Sequence, residues 1–300
     1  MGVDRADGRR TYWPAVDRLS RSASRRVTMR GSFRRVTEVP PRNSSGSQGF
    51  LQSSPTVLSV VMPAHNEEEF LTTAVQEVVD ALRSRGWDFE LLVVENGSTD
   101  ESPTIAAQLA ERIPEVRSLS LPSPDYGAAL RVGFLEASRD LVAIFDVDYF
   151  DFAFLDQAVD AMNGPGGPDI VVGSKREVGA VDTRPWHRRV VTASFTLILR
   201  AGFGLEVSDT HGLKVVRRAP LQELAAGCRH GTDIFDTELI LRAERAGLRV
   251  FAIPVTVTER RPSRSSIWKR VPRTVIALTQ LRLSLYREAR GGRAPTLLSS

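Results

Sequence analysis

Asp146 and Asp148 close an apolar, β-branched run, Leu141–Asp148, that reads LVAIFDVD. Where a strand frays, carboxylates at i and i+2 can both reach one hard divalent cation, which keeps open positions for phosphate oxygens. That arrangement would hold a nucleotide diphosphate for displacement. A second run of the same kind, Leu58–Glu67 (LSVVMPAHNE), breaks into Asn66 and Glu67. In an open α/β sheet, side chains just past the carboxyl ends of buried parallel strands line the ligand crevice, so these polar residues are read as facing a site. An Asp-x-Asp triplet alone is weak, because strand ends and turns favour Asp for local hydrogen bonding. Its weight depends on its neighbours.

To bring those side chains together, strands and helices must alternate along the chain. Val57–Met62 reads as a buried strand, and Glu67–Arg85 as a helix with Phe70, Leu71, Ala74, Val75, Val78, Val79 and Leu82 at helical spacing, closed by Gly86. Phe89–Val94 is the next strand, followed by a helix starting near Pro103, where Pro is tolerated in a first turn. The pattern continues with strands at Val116–Leu119, Leu141–Phe145, Ile170–Gly173 and Arg249–Pro254. Helices are expected from Tyr126 to Ser138, at Phe152–Met162, around Phe195–Leu199 and at Phe235–Ala246. Connections too long for hairpins predict an α/β fold, a mostly parallel sheet flanked by helices.

Charge is unevenly distributed over the 300 residues, which carry a net +4. Residues 1–54 hold 11 Arg against 4 acids, and residues 260–300 hold 9 Arg and 1 Lys against Glu288. The stretch between them holds 19 basic and 31 acidic residues. A uniformly basic nucleic-acid binder would look different; an acidic body between basic ends suits a metal-binding body whose ends meet an anionic surface, membrane lipid ahead of nucleic acid. Solvated tails are the plainer alternative. The expected organisation is a disordered basic arm over 1–54, a catalytic domain over 55–259, and a basic lid segment, amphipathic helix and tail over 260–300. Met29 offers an alternative start within the arm.

Cys228 is the only cysteine, which excludes an intrachain disulfide and a multi-cysteine metal site. The longest apolar helix candidate, Val190–Leu199, stops at Arg200, well short of the ~20 residues a membrane span needs. The Arg-rich start is not followed by an apolar signal core, so a cytoplasmic protein is expected, peripheral on the inner face of a membrane. Ile267–Arg290 supports that placement, with Trp268, Val271, Val275, Leu278, Leu281, Leu285 and Tyr286 recurring at helical spacing among Lys269, Arg270, Arg273, Arg282 and Arg287. Such a stripe suits an interfacial anchor, or it packs on the domain.

Seven motifs in order carry a family likeness: PAHNEE (Pro63–Glu68), VENGSTD (Val94–Asp100), DYGAALRVGF (Asp125–Phe134), FDVD (Phe145–Asp148), GSKR (Gly173–Arg176), DTHGLKVVRR (Asp209–Arg218) and DTELILRAERAG (Asp236–Gly247). Over residues 57 to about 270 the chain resembles glycosyltransferase family 2, and within it the polyprenyl-phosphate (dolichyl-phosphate) mannosyl- and glucosyltransferase branch. The resemblance implies a GT-A nucleotide-sugar fold, Mg2+ or Mn2+ as cofactor on Asp146 and Asp148, and inversion at the anomeric carbon. It implies UDP- or GDP-linked sugar as donor and polyprenyl phosphate as acceptor, and the charge distribution leads to an expectation of no nucleic-acid partner.

Donor contacts are expected at Pro63, Asn66, Glu67, Glu95, Gly97, Ser98, Asp100, Gly127 and Asp146. Asn66 and Glu67 can also be read as a plain helix cap. Glu95-Asn96 departs from the family's usual Asp-Asp pair, and Asp125-Tyr126-Gly127 from its Gly-Lys-Gly, so Tyr126 is expected to pack against the donor. Gly127 would let the backbone pass close to the diphosphate. Acceptor phosphate contacts are expected at Lys175, Arg176, Arg188, Arg189, Lys214 and Arg264, with Lys175 also counted as catalytic. His211 is a candidate third metal ligand, against a plain structural role. Asp236, or Glu238 beside it, would act as general base toward a hydroxyl acceptor, whereas a phosphate acceptor is already ionised and needs little base assistance. Two other functions stay open. One is transfer to a soluble or glycan hydroxyl; the other is a catalytically silent nucleotide-sugar-binding protein.

Overall fold

The computed structural model describes residues 56–175, 177, 181–182, 186–207, 210, 212–231, 234–257 and 267–290. Side chains at 181–182, 186–189, 191–192, 256–257, 267–272 and 289–290 fall outside that description, as do the expected disordered arm and the lid segment. The elements are β1 (Val57–Ala64), α1 (Leu71–Ser84), β2 (Asp88–Asn96), α2 (Ser102–Arg112), β3 (Val116–Leu121), α3 (Tyr126–Glu136), β4 (Leu141–Ile144), α4 (Phe152–Asn163), β5 (Ile170–Ser174) and β6 (Val181–Asp182). They continue with α5 (Trp186–Phe203), β7 (Lys214–Arg217), α6 (Arg218–Gly227), α7 (Phe235–Arg245), β8 (Val250–Pro254), β9 (Thr256–Val257) and α8 (Ile267–Arg290).

Seven strands form one sheet in the order β3-β2-β1-β4-β7-β5-β8, and β6 pairs with β9 in a small second sheet. All pairings in the large sheet are parallel except those of β7, which runs antiparallel between β4 and β5. The mostly parallel α/β fold expected from the sequence is therefore the fold observed. Chain order reverses where β1 meets β4, and ligands of open α/β sheets bind outside the carboxyl ends of strands at such a reversal. Both polar breaks, after β1 and after β4, lie there.

Alternate residues of the central strands explain the layers. Val60, Met62, Leu91, Val93 and Ala143 join α1, α2 and α4 in one apolar cluster, while Val61, Leu92, Val94, Val142 and Ile144 join α3, α6 and α7 in another. Strands buried on both faces need near-continuous apolar runs, which is why β1, β2 and β4 were legible. Helix α3 lies so close to β1 that a Cβ at Gly133 would sit 2.3 Å from Val61 Cγ1.

Three features depart from the expectation. Helix α1 starts at Leu71, not Glu67, because Phe70 N–H and Leu71 N–H both turn back to the Glu67 carbonyl. Strand β7 and helix α6 had no counterpart in the sequence reading, since KVVR is too short to show a period and begins with a charge. Helix α8 is not a free amphipathic anchor: Leu278, Leu281 and Leu285 are buried in the second apolar cluster, while Val275 and Tyr286 of the same stripe are exposed. No described helix is long and apolar enough to cross a membrane.

Candidate active site

The turn after β4 sorts its residues by alternation. Phe145, Val147 and Phe150 point into the core, where the rings of Phe145, Phe150 and Phe152 stand 5.5–6.0 Å apart, which leaves Asp146 and Asp148 directed outward. Asp146 N–H donates to the Tyr149 carbonyl and Tyr149 N–H to the Asp146 carbonyl, each at 3.1 Å, which fixes the turn. Tyr126, the first residue of α3, donates its hydroxyl to Asp146 Oδ1 at 3.0 Å. It therefore contacts the acid pair, a bond the expectation of donor packing did not foresee.

On the neighbouring strand, Lys214 pairs in register with Ile144 and is only 1% exposed. Its ammonium lies 3.0 Å from Asp236 Oδ1 and donates to the Gly212 carbonyl at 2.9 Å. Asp236, in the first turn of α7, is 5% exposed, and its Oδ1 meets Lys214 outside hydrogen-bonding angles. As folded, Lys214 is the counter-ion of Asp236 and presents no open ammonium to a phosphate.

Asp146 and Asp236 thus both feel the Lys214 ammonium, and Asp148 and Asp236 crowd Asp146. Burial is the main cause that raises the Asp146 carboxyl to about 6; the Tyr126 hydroxyl and Lys214 oppose it, while Asp148 and Asp236 push the same way as burial. Asp146 nevertheless keeps part of its surface open at the crevice floor, so crowding by like charges matters beside desolvation. The Tyr126 phenol is pushed well above its ordinary value by burial and by the same acids, and it remains a donor. Carboxylate oxygens beyond a strand end fit a hard divalent cation. Among the described residues no three His, Cys, Asp or Glu side chains enclose an ion, so Asp146 and Asp148 would leave most coordination positions to phosphate oxygens and water. His211 and Asp209 lie outside the described residues.

The rim beside β1 and β2 is built differently. Asn66 takes a left-handed backbone (φ 55°), which suits its short polar side chain, and its Oδ1 accepts from Thr99 N–H at 2.8 Å. Asn66 N–H donates to Ser98 Oγ at 3.0 Å, Glu67 N–H to Ser102 Oγ at 2.7 Å and Glu68 N–H to Asp100 Oδ2 at 3.2 Å. Pro63 is buried within β1 opposite Val94. Glu95 is 2% exposed and accepts from Ser98 N–H at 2.5 Å and Ser120 Oγ at 2.7 Å, so as folded it braces the turn where a base or ribose contact was expected. Gly97 (φ 60°) is required there, since a Cβ would lie 2.5 Å from the Ser123 carbonyl carbon.

Gly127 has a packing reason of its own. A Cβ on it would lie 2.8 Å from both the Gly231 carbonyl carbon and Phe235 Cβ, so the glycine lets α3 meet the start of α7. Asp125 caps α3 by accepting from Ala128 N–H at 3.0 Å, and its own N–H donates to Asn96 Oδ1 at 2.7 Å. Together these contacts hold Tyr126 over Asp146.

On the far side, Lys175 follows β5, and its Nζ would be 4.0 Å from a Cβ placed on Gly212 (φ 110°). The loop that binds Lys214 and the loop that carries Lys175 therefore touch. Arg188 and Arg189 lie in the first turn of α5 with side chains outside the description, and Arg176 and Arg264 fall outside it altogether. Glu238 is fully buried and accepts from Arg229 N–H, His230 N–H, His230 Nδ1 and Arg242 Nε at 2.8–3.0 Å. Burial pushes its carboxyl up, but these bonds outweigh burial and hold it below its ordinary value. It is a structural anchor of α7, not an available base.

The strand order, the reversal at β1/β4 and the acid pair beyond β4 define the nucleotide-sugar GT-A fold. The chain belongs to glycosyltransferase family 2: the family profile described as "Glycosyl transferase family 2" matches residues 59–225. It is similar to a protein of Mycobacterium tuberculosis described as uncharacterized glycosyltransferase Rv0539, 31% identical over 222 residues that cover 74% of this chain and 94% of the relative. It is also similar to dolichyl-phosphate beta-glucosyltransferase ALG5A of Trichomonas vaginalis, 26% identical over 213 residues, 67% of this chain and 66% of that one. Among solved structures, the mannosyltransferase PcManGT of Pyrobaculum calidifontis, in complex with GDP-Man and Mn2+, superposes with a TM-score of 0.52 at 22% identity over 81% of this chain and 68% of that one. The protein is a glycosyltransferase.

Proposed function

We propose that this enzyme moves a sugar from a nucleotide diphosphate sugar to a polyprenyl phosphate at the cytoplasmic face of a membrane, with Mg2+ or Mn2+ as cofactor. The observation that carries the reading is the position of Asp146 and Asp148 just beyond β4 at the β1/β4 reversal, where burial and the neighbouring acids Asp148 and Asp236 raise the Asp146 carboxyl to about 6. The dolichyl-phosphate relative supports the acceptor class, and the GDP-Man and Mn2+ in PcManGT support the donor class and the metal.

Asp146 and Asp148 would hold the cation, which when bound neutralises charge on the leaving diphosphate. Tyr126 fixes Asp146 by occupying Oδ1. The rim formed by Asn66, Glu67, Gly97, Ser98 and Asp100, with its loops already tied together, seats the nucleoside without reordering. Lys175, Arg176, Arg188, Arg189 and Arg264 are assigned to the acceptor phosphate, where guanidinium and ammonium groups give charge-assisted hydrogen bonds. Lys214 orients Asp236 and moderates the local negative field. A lipid phosphate oxygen then bonds to the anomeric carbon as the bond to the diphosphate oxygen breaks, the nucleoside diphosphate leaving with the electron pair. The family resemblance implies inversion in this step.

A phosphate acceptor also agrees with the state of the two α7 carboxylates. Asp236 is almost enclosed and Glu238 is fully engaged, so neither stands open to take a proton from a hydroxyl. The catalytic unit is assigned to residues 55–259, with 1–54 and 260–300 as appendages. Incubation with a panel of UDP- and GDP-sugars, Mn2+ and polyprenyl phosphate, read by mass spectrometry, should yield a glycosylated polyprenyl phosphate. Transfer to a free hydroxyl acceptor with none to polyprenyl phosphate would replace the acceptor. Binding of a nucleotide sugar with neither transfer nor hydrolysis would leave the silent binding protein.

A further inference from the structure

Eight large apolar side chains of the described residues are exposed, and seven of them lie on α5 and α8: Val190, Leu197 and Ile198 on the first, Val275, Ile276, Leu283 and Tyr286 on the second. Each set recurs at helical spacing, so each helix has an open apolar face. The two helices adjoin. Arg282 donates to the Gly202 carbonyl and lies over the Phe203 ring, 5.9 Å from its centroid. Their inner faces meet in the same core cluster, through Leu199 on α5 and Leu278, Leu281 and Leu285 on α8. Leu197, at 67% exposure, is the most open of the eight, and nothing in the core requires it to be apolar.

The charge on these two helices is almost all of one sign. Helix α5 carries Arg188, Arg189 and Arg200 and no acid, and α8 carries Lys269, Arg270, Arg273, Arg282, Arg287 and Arg290 against Glu288 alone. Glu288 is itself paired with Arg242 at 3.0 Å. Exposed Arg200, Arg273, Arg282 and Arg287 accompany the apolar residues. We infer that α5 and α8 together form one docking face that lies in the headgroup region of an anionic bilayer, with Leu197, Ile198, Ile276 and Leu283 entering the acyl boundary. Apolar burial and attraction to anionic lipid add in such binding. A second copy of this chain is the poorer occupant, because an isologous contact would oppose two basic faces. The residues that enter lipid differ from the stripe read in the sequence, whose leucines are in the protein core. The inference rests on the membrane reading above, and it places the helix that carries Arg188 and Arg189 at the headgroups.

The test is cosedimentation of the full chain with vesicles of phosphatidylglycerol and phosphatidylcholine, and with pure phosphatidylcholine. In parallel, sugar transfer to a short-chain, water-soluble prenyl phosphate is measured without vesicles. Wild type should bind the anionic vesicles, less as salt is raised. Leu197→Glu with Ile198→Glu, or Ile276→Glu with Leu283→Glu, should weaken binding about tenfold or more. Phe70→Glu, the eighth exposed apolar residue, should leave binding unchanged. Vesicle binding by wild type that none of these substitutions weakens overturns the docking face, as does a dimer in solution that the same substitutions disperse. Loss of vesicle binding in the α5 and α8 variants, with no transfer to any prenyl phosphate by wild type, keeps the docking face and removes the acceptor reading.

Discussion

The two halves of the crevice are built on opposite principles. Along β1 and β2, Ser98 links Asn66 to Glu95, Asn96 holds Asp125, and Asp100 holds Glu68 and Ser102, all at 2.5–3.2 Å, and Glu95 has both oxygens occupied. Across β4 and β7, Asp148 and Asp236 crowd Asp146, Lys214 is bound to Asp236, and the Asp146 carboxyl is raised to about 6. A satisfied network is a frame, stable whether or not a ligand is bound. A buried carboxyl crowded by like charges is unfavourable by itself and persists where a ligand relieves it. The contrast assigns rigidity to the donor rim and chemistry to the acid centre.

The largest effect is expected in the acid half. Asp148→Asn should lower kcat at saturating donor by at least about 100-fold with the fold intact, since it removes a charged ligand beyond a strand end and no core contact. Near-normal turnover by this variant in a metal-dependent assay would erase the distinction between the halves. Next comes Lys214→Met, which leaves Asp236 buried and uncompensated and should destabilise by about 3–5 kcal/mol in denaturant unfolding. Adding Asp236→Leu should restore most of that loss. If the double variant is no more stable than the single one, the pair is not the local charge balance.

Tyr126→Phe sharpens the comparison at its boundary, because Tyr126 is held by the frame and bonds to the centre. Loss of the hydroxyl frees Asp146 to rotate, and Mn2+ titrated by electron paramagnetic resonance should bind several-fold more weakly, on the order of one hydrogen bond. Unchanged Mn2+ affinity would confine Tyr126 to packing. The smallest effect belongs to the rim. Ser98→Ala removes the acceptor of Asn66 N–H and should cost about 1 kcal/mol of stability, with a modest rise in donor KM. A collapse of kcat there would move chemistry into the frame.

Much of this was legible before the structure. The runs at β1, β2 and β4 were legible because doubly buried parallel strands are apolar throughout, and the polar residues that end them were placed at the crevice by topology alone. Asp146, Asp148, Lys214 and Asp236 were all singled out by type, yet nothing in their spacing said that Lys214 and Asp236 face each other. Their meeting depends on β7, four residues running antiparallel. Glu95 and Gly127 show the same limit: both were expected at the donor, and only the structure shows that Glu95 also braces a turn and that Gly127 also lets α3 meet α7. Spacing in α8 revealed an apolar stripe, but a stripe does not say whether protein or lipid covers it. Leu278, Leu281 and Leu285 went to the protein, and the exposed side was found only once α5 lay beside it.

The central claim, that the crowded Asp146 carboxyl is relieved when a metal binds, is tested most directly by the melting temperature of Asp146→Asn with and without Mn2+. A carboxyl raised from its ordinary value of 3.8 to about 6 binds its proton more tightly folded than unfolded, so stability falls as pH rises through that interval and the deficit is complete above about 6. At pH 7.5 the metal-free variant should therefore melt higher than wild type, by an amount worth up to about 3 kcal/mol. Mn2+ should raise the melting temperature of wild type, and less so as pH falls through about 6, but not that of the variant. A metal-free variant that melts lower than wild type, or equal stabilisation of both proteins by Mn2+, would contradict the account.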